Sequence, residues 1–225
     1  FQLDRTIPSA VSSFLSIPAT QVMYKGKPVI LEGGAIDVNG NGTLLTSEEC
    51  LMHPDIQVRN PGFTKDDYEA IFKEFLGITN TIWLADGIAG DDTHGHIDDL
   101  CRFVNENTII TVVESDPKDS NYHALQENLK RLQHAKLENG KKPTIISLPM
   151  PGQLDFDGLR LPASYANFLI LNKSVLVPVF NDPKDPEALQ IITDCFPDRT
   201  IIPISAIDLI WGFGTLHCLS QQIPE

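Results

Sequence analysis

No apolar run in the sequence approaches the roughly 18 consecutive residues that cross a bilayer, so no membrane association is expected. The opening residues Phe1-Gln2-Leu3-Asp4 lack both the basic and the apolar region of a secretory signal. An initiator Met is missing too, as it is when a chain begins inside a longer gene product. Cysteine is sparse: Cys50, Cys101, Cys195 and Cys218 are far apart and form no Cys-x-x-Cys pair. Such a chain is expected to keep reduced thiols in the cytoplasm, not to build a disulfide framework or a structural zinc site. Basic residues are scarce as well, 17 against 30 acidic, leaving a net charge of −13. Phosphate binding needs a basic surface, so a nucleic-acid partner is not expected; an anionic surface suits a cationic small molecule instead.

What is present is an ordinary globular balance, 42% hydrophobic and 21% charged over 225 residues, read as a single α/β domain spanning residues 1–225. The pattern repeats. Val29 to Ile36 reads as an extended apolar stretch broken by Gly33-Gly34, and Asn39-Gly40-Asn41-Gly42 turns it into a second strand, Gly42 to Thr46. Thr64 and Asp67 form a capping-box signature ahead of Tyr68, Ile71, Phe72, Phe75 and Leu76 at helical spacing, and Thr81 to Leu84 reads as a buried strand. The same order recurs with strands Ile97 to Val104 and Thr108 to Val113, a helix marked by Tyr122, Leu125, Leu129 and Leu132, and a strand Thr144 to Leu148. It recurs again with strands Tyr165 to Leu171 and Val175 to Phe180, a helix opened by Asp185-Pro186-Glu187 with Asp185 as N-cap, and a strand Ile201 to Ile204.

Strand–strand–helix–strand modules therefore return about every 65 residues, and the chain holds about three and a half of them. A helix over Ile7 to Ile17 and an opening strand over Gly212 to Gln222 read as incomplete modules at either end. A ring short of a module would expose strand edges, so self-association or a complementing N-terminal segment is expected.

Four constellations carry chemistry. Asp37-Val38-Asn39-Gly40-Asn41-Gly42 with Glu48 matches the EF-hand calcium loop, but strands, not helices, flank it, and the hairpin reading is preferred. His94-Gly95-His96-Ile97-Asp98, with Asp86, Asp91 and Asp92 close by, resembles half of a metallo-hydrolase site, although no second histidine cluster follows. Glycines at Gly212 and Gly214 deliver His217-Cys218; in a strand these two neighbours would face opposite ways, so the acid/base partner of a nucleophilic Cys218 would be His96. Glu32, in an apolar stretch, needs a cation or a hydrogen-bond partner.

Glu32-Gly33-Gly34, Gly95-His96-Ile97-Asp98, Leu161-Pro162-Ala163-Ser164-Tyr165-Ala166-Asn167-Phe168 and His217-Cys218 followed by Gln221-Gln222-Ile223-Pro224 resemble, in this order, the agmatine deiminase and bacterial, Porphyromonas-type, peptidyl-arginine deiminase family of guanidino-group-modifying enzymes. The resemblance runs from Pro28 to Pro224. It implies a five-bladed α/β propeller of the pentein type. It implies Cys218 as nucleophile, His96 as acid/base, Asp98 and Glu32 as carboxylates holding the guanidinium by bidentate hydrogen bonds, and Asn167 as a site-lining residue. The implied reaction converts agmatine to N-carbamoylputrescine and ammonia through a covalent thiouronium adduct, in polyamine metabolism, with no metal and no organic cofactor. Peptidyl arginine is the alternative substrate; a metal-dependent hydrolase and an inactive fragment are the rivals. Phe213 stands where many members carry glycine, and the family's Trp-x-Arg-Asp stretch, with its second guanidinium-binding aspartate, has no counterpart at Trp83 or Trp211.

Overall fold

The computed structural model describes Leu3 and residues 6–223. Phe1, Gln2, Asp4, Arg5, Pro224 and Glu225, and with them the chain start and the end of the Gln-Gln-Ile-Pro motif, lie outside the described residues. The chain resolves into two compact units, residues 1–31 and 32–225.

In the first unit, helix α1 covers Ile7–Leu15, close to the expected span, with Pro8 in its first turn and Ser16 closing it in the left-handed conformation. A two-stranded hairpin that the hydrophobic pattern did not announce follows, β1 Met23–Tyr24 and β2 Lys27–Pro28. Its two-residue turn, Lys25-Gly26, has positive φ at both positions (50° and 75°), the geometry that matches strand twist.

The second unit contains three sheets of one topology. In the first, β3 (Asp37–Val38) pairs antiparallel with β4 (Thr43–Ser47), which pairs parallel with β5 (Asn80–Leu84). Between β4 and β5 lie α2 (Glu48–Met52) and the crossover helix α3 (Lys65–Leu76). In the second, β6 (Cys101–Asn105), β7 (Thr108–Val113), α4 (Tyr122–His134) and β8 (Thr144–Pro149) repeat the pattern. After a small hairpin, β9 (Asp155–Phe156) and β10 (Leu159–Arg160), the third runs through β11 (Leu169–Ile170), β12 (Ser174–Val179), α5 (Asp185–Cys195) and β13 (Thr200–Ser205). Parallel pairing of the second and third strands of each sheet requires a crossover, which the amphipathic helix supplies. All five residues of β4 are buried, as suits a strand covered on both faces. Side chains from all three sheets, among them Leu45, Leu84, Ile109, Leu148, Val175 and Val177, share one apolar core.

The Thr64 capping box forms in full: the Thr64 hydroxyl accepts the Asp67 N–H, and the Asp67 carboxylate accepts the Thr64 N–H at 3.0 Å. Replacing Thr64 with Ala is expected to cost about 1 kcal/mol of stability, read as a lower midpoint in urea unfolding.

Several expected strands are different. Gly33–Ala35 and Ile97–Asp99 are single 3-10 turns. Tyr165 to Phe168 is buried but belongs to no sheet, and only Leu169–Ile170 of that run pairs. No strand forms among the described residues of 212–222; a 3-10 turn, Leu209–Gly212, precedes tight turns there. Asp185 is the first residue of α5, not its cap; its carboxylate accepts the Phe180 and Asp182 N–H groups and the Tyr165 hydroxyl. The EF-hand pattern is a hairpin: Asp37 is paired with Arg102 (Nε–Oδ1 3.0 Å) and Glu48 with Lys65 and Arg131, while Asn39 Oδ1 accepts the Asn41 and Thr43 N–H groups. Among the described residues no helix is long and apolar enough to cross a membrane.

Candidate active site

The segment joining the first two sheets carries His96 and Asp98. Its path is set by polar side chains that satisfy its backbone. Asn121 and Asn128, buried at the start and in the middle of the second module's helix, accept the N–H groups of Ala89 (2.7 Å) and Ala85 (2.8 Å). Asp91 Oδ2 accepts from Gly95 (2.8 Å) and His96 (3.2 Å), and the Ser47 hydroxyl donates to the Gly95 carbonyl. His94 turns towards Glu49 (Nδ1–Oε1 3.8 Å), away from a shared role with His96, so the metallo-hydrolase pattern has no paired imidazoles behind it. Asp91 is occupied in holding the loop.

Cys218 is positioned by Asn167. The Asn167 Oδ1 accepts from the Thr215 hydroxyl (2.8 Å) and from the N–H groups of His217 (3.0 Å) and Cys218 (3.3 Å). Its Nδ2 donates to Cys218 Sγ (3.0 Å) and to Asp99 Oδ1 (3.0 Å). One buried amide thereby fixes the backbone on either side of the thiol and the thiol itself. Phe213, just upstream, adopts φ +60°, the left-handed conformation that favours glycine.

His217 and Cys218 do not face opposite ways, because no strand holds them. His217 Nδ1 donates to Asp98 Oδ2 (2.7 Å), and Cys218 Sγ approaches the same oxygen at 3.7 Å. Burial alone would push the Asp98 carboxyl up. The hydrogen bond and charge of His217, with further help from His96 and Arg102, hold it below the usual carboxylate range. Asp99, fully buried beside it, is pushed well up, first by burial and then by Asp98 and Asp91. The Cys218 thiol is also pushed up, by the protein atoms crowding it and by Asp99 and Asp98, although the residue opens to solvent on one side.

Glu32 is clamped from behind. Arg59 Nε binds its Oε1 at 2.9 Å while Arg59 also donates to the carbonyls of Thr93 (2.6 Å) and Cys50 (3.1 Å). Glu32, His96, Asp98, Phe213, His217 and Cys218 line one cleft of about 540 Å³. Four buried side-chain polar atoms among the described residues lack a hydrogen-bond partner, and three of them, Glu32 Oε2, His96 Nε2 and Asp98 Oδ1, belong to residues lining this cleft. Orphaned buried acceptors are costly, and their convergence marks a site prepared for a donor-rich ligand. Each carboxylate already has one oxygen engaged, Glu32 with Arg59 and Asp98 with His217. Neither therefore keeps two unengaged oxygens for the bidentate grip expected from the sequence.

Cys218, His96, Asp98, Glu32 and Asn167 thus all come together. Arg59, Asp99 and the inward-facing His217 were not anticipated. Only His217 had a visible signal, the glycines before it, which break the strand parity on which its outward direction was inferred.

Gly34 is packed into this site. A Cβ there would lie 2.5 Å from His96 Nδ1 and 3.0 Å from Asp98 Oδ2, without any left-handed backbone to forbid it. Gly34→Ala is expected to displace His96 and Asp98 and to lower the kcat/KM of turnover at this cleft about 100-fold or more, with a loss of about 1–3 kcal/mol in unfolding free energy. Paired kinetics and urea unfolding check both.

The sequence model of the Porphyromonas-type peptidyl-arginine deiminases matches residues 1–224. An agmatine deiminase of Pseudomonas fluorescens is 34% identical over 219 residues, covering 89% of this chain and 59% of the relative. Among solved structures, an agmatine deiminase of Enterococcus faecalis superposes with a TM-score of 0.91 at 28% identity, covering 100% of this chain and 64% of that one. A C. jejuni agmatine deiminase solved with substrate bound gives 0.86 at 33%, covering 96% and 61%. The chain spans about three fifths of the length of these relatives. The chain belongs to the Porphyromonas-type peptidyl-arginine deiminase family.

Proposed function

We propose that this chain carries the nucleophile-bearing part of a guanidine deiminase that hydrolyses agmatine to N-carbamoylputrescine and ammonia, in polyamine metabolism. The observation that carries the reading is the convergence of Glu32 Oε2, His96 Nε2 and Asp98 Oδ1, all without partners, on the cleft that Cys218 enters. A guanidinium is planar, cationic and rich in N–H donors. Spanning the free oxygens of Glu32 and Asp98, it would satisfy one acceptor on each side. Asp92, which lines the same cleft, adds negative charge suited to agmatine's second cation.

In this reading the Cys218 thiol passes its proton to His96, and the thiolate attacks the central guanidinium carbon. The C–N bond then breaks as His96 protonates the departing ammonia. The cationic thiouronium left behind is hydrolysed by a water that His96 deprotonates, giving the ureido product and the free thiol. Because burial, and then Asp99 and Asp98, disfavour the thiolate, the positive substrate itself supplies the charge that stabilises it. Asn167 holds the sulfur in line throughout.

The propeller reading extends the observed sheets: three strand–strand–helix–strand modules in residues 32–225 are taken as consecutive blades of a five-bladed ring, with flanking segments as parts of others. The test is ammonia and ureido-product formation by the whole protein that contains this chain, offered agmatine and, separately, an arginine-containing peptide. Turnover of agmatine with little on the peptide supports the reading; the reverse moves the substrate to peptidyl arginine. Loss of activity on chelation would favour a metal hydrolase.

A further inference from the structure

We propose that Glu32, Cys50 and His96 form a binding site for a thiophilic divalent cation, represented by Zn²⁺, and that an ion held there keeps a guanidinium out of the cleft. The second half of this inference rests on the proposed function; the first does not.

A carboxylate oxygen of Glu32, the Sγ of Cys50 and a ring nitrogen of His96 all lie within 4.8 Å of one another. Tetrahedral zinc, with bonds of about 2.0–2.3 Å, places its ligand atoms about 3.3–3.8 Å apart, so the three need close by only about an ångström. Two of the three residues carry an orphaned atom, Glu32 Oε2 and His96 Nε2, and His96 is 8% exposed, so water does not meet the need of its ring. Cys50 is 2% exposed and is anchored through its N–H to the Ser47 hydroxyl at 3.1 Å.

The donor set selects the ion. Thiolate with imidazole and one carboxylate suits zinc and its thiophilic neighbours, whereas calcium and magnesium demand oxygen ligands. Arg59 provides the outer support, since its bond to Glu32 Oε1 orients the carboxylate while leaving Oε2 available. The metal–sulfur bond forms as the Cys50 Sγ proton is released to solvent. Cys218 is outside this set and groups instead with Asp98 and Asp99. An ion at the first set would occupy Glu32 and His96, the acceptor and the acid/base group of the proposed reaction.

The experiment is titration of the whole protein, as wild type, Cys50→Ser, Glu32→Gln and Cys218→Ala, with Zn²⁺ by calorimetry and with Co²⁺ by absorption. Wild type and Cys218→Ala are expected to bind one ion and to show a thiolate-to-cobalt charge-transfer band. Cys50→Ser should lose the band and about 100-fold or more in affinity, while Glu32→Gln should keep the band and bind more weakly. A band that vanishes in Cys218→Ala and survives in Cys50→Ser overturns the site, as does failure of wild type to bind. Agmatine added to Cys218→Ala, where it is not turned over, should weaken zinc binding. Zinc binding that agmatine leaves unchanged overturns the exclusion while the metal site stands.

Discussion

In the proposed reaction, Cys218→Ala is expected to reduce agmatine turnover by about 10⁴-fold or more, equivalent to about 5 kcal/mol of barrier, with the fold retained. The size of the effect follows from what no neighbour can replace. Cys218 Sγ is held at 3.0 Å by Asn167 Nδ2 and stands 3.7 Å from Asp98 Oδ2, on the cleft lined by the orphaned acceptors. Cys50 is buried and does not line that cleft, and the remaining thiols, Cys101 and Cys195, belong to the apolar core and its margin. Stability should survive because Asn167 keeps its bonds to Thr215, His217 and the residue 218 N–H. The raised proton affinity of the thiol adds a second readout. In the free protein Cys218 is protonated at neutral pH, so its alkylation should be slower than that of an ordinary cysteine and should accelerate as pH climbs above the usual thiol range. Mass-resolved alkylation across pH measures this directly. Turnover by Cys218→Ala within tenfold of wild type would remove the covalent mechanism.

The sequence made the modules legible because their signals are local. The Thr64 box, Gly77, which closes the helix with a left-handed φ of 70°, and the apolar spacing between them specify α3 from about a dozen residues, and the Asn-Gly-Asn-Gly turn specifies the hairpin that carries Asp37. Harder to read were buried segments without sheet partners. Tyr165, Ala166 and Phe168 are fully buried and Asn167 nearly so, but the segment is held by side chains such as Ser164, whose hydroxyl donates to the Asp99 carbonyl at 2.8 Å. An apolar run reports burial and says nothing about which ladder, if any, satisfies its backbone. The same ambiguity produced the strand expected at Ile97 and the outward-facing His217. Site residues were legible as a set through their order along the chain, whereas the groups that aim them were not. Arg59 behind Glu32, and His217 behind Asp98, are contacts across 27 and 119 residues, and no local pattern announces them.

Asp98→Asn is expected to lower kcat/KM by about 10³-fold, a loss of about 4 kcal/mol, while Cys218 remains in place. Asp98 is fully buried and its two oxygens differ: Oδ2 accepts from His217, and Oδ1 has no hydrogen-bond partner among the described residues. The amide keeps the shape and removes the charge, so a guanidinium entering the cleft would lose its charge-assisted contact there and His217 would lose its anion. The stability of the two proteins should also diverge with pH. The folded-state pKa of Asp98 is depressed, so its ionisation favours the folded protein at pH values above the unfolded-state value of about 3.9, and that contribution drains away as pH falls through the folded value. Asp98→Asn has no such contribution to lose. Its deficit in unfolding free energy relative to wild type should therefore be largest at neutral pH and shrink towards acid. Urea unfolding of both proteins across this range, beside kcat/KM at neutral pH, separates the two effects. A variant with unchanged kcat/KM would take Asp98 out of guanidinium binding. A stability gap independent of pH would instead mean that the His217 bond does not depend on the Asp98 charge.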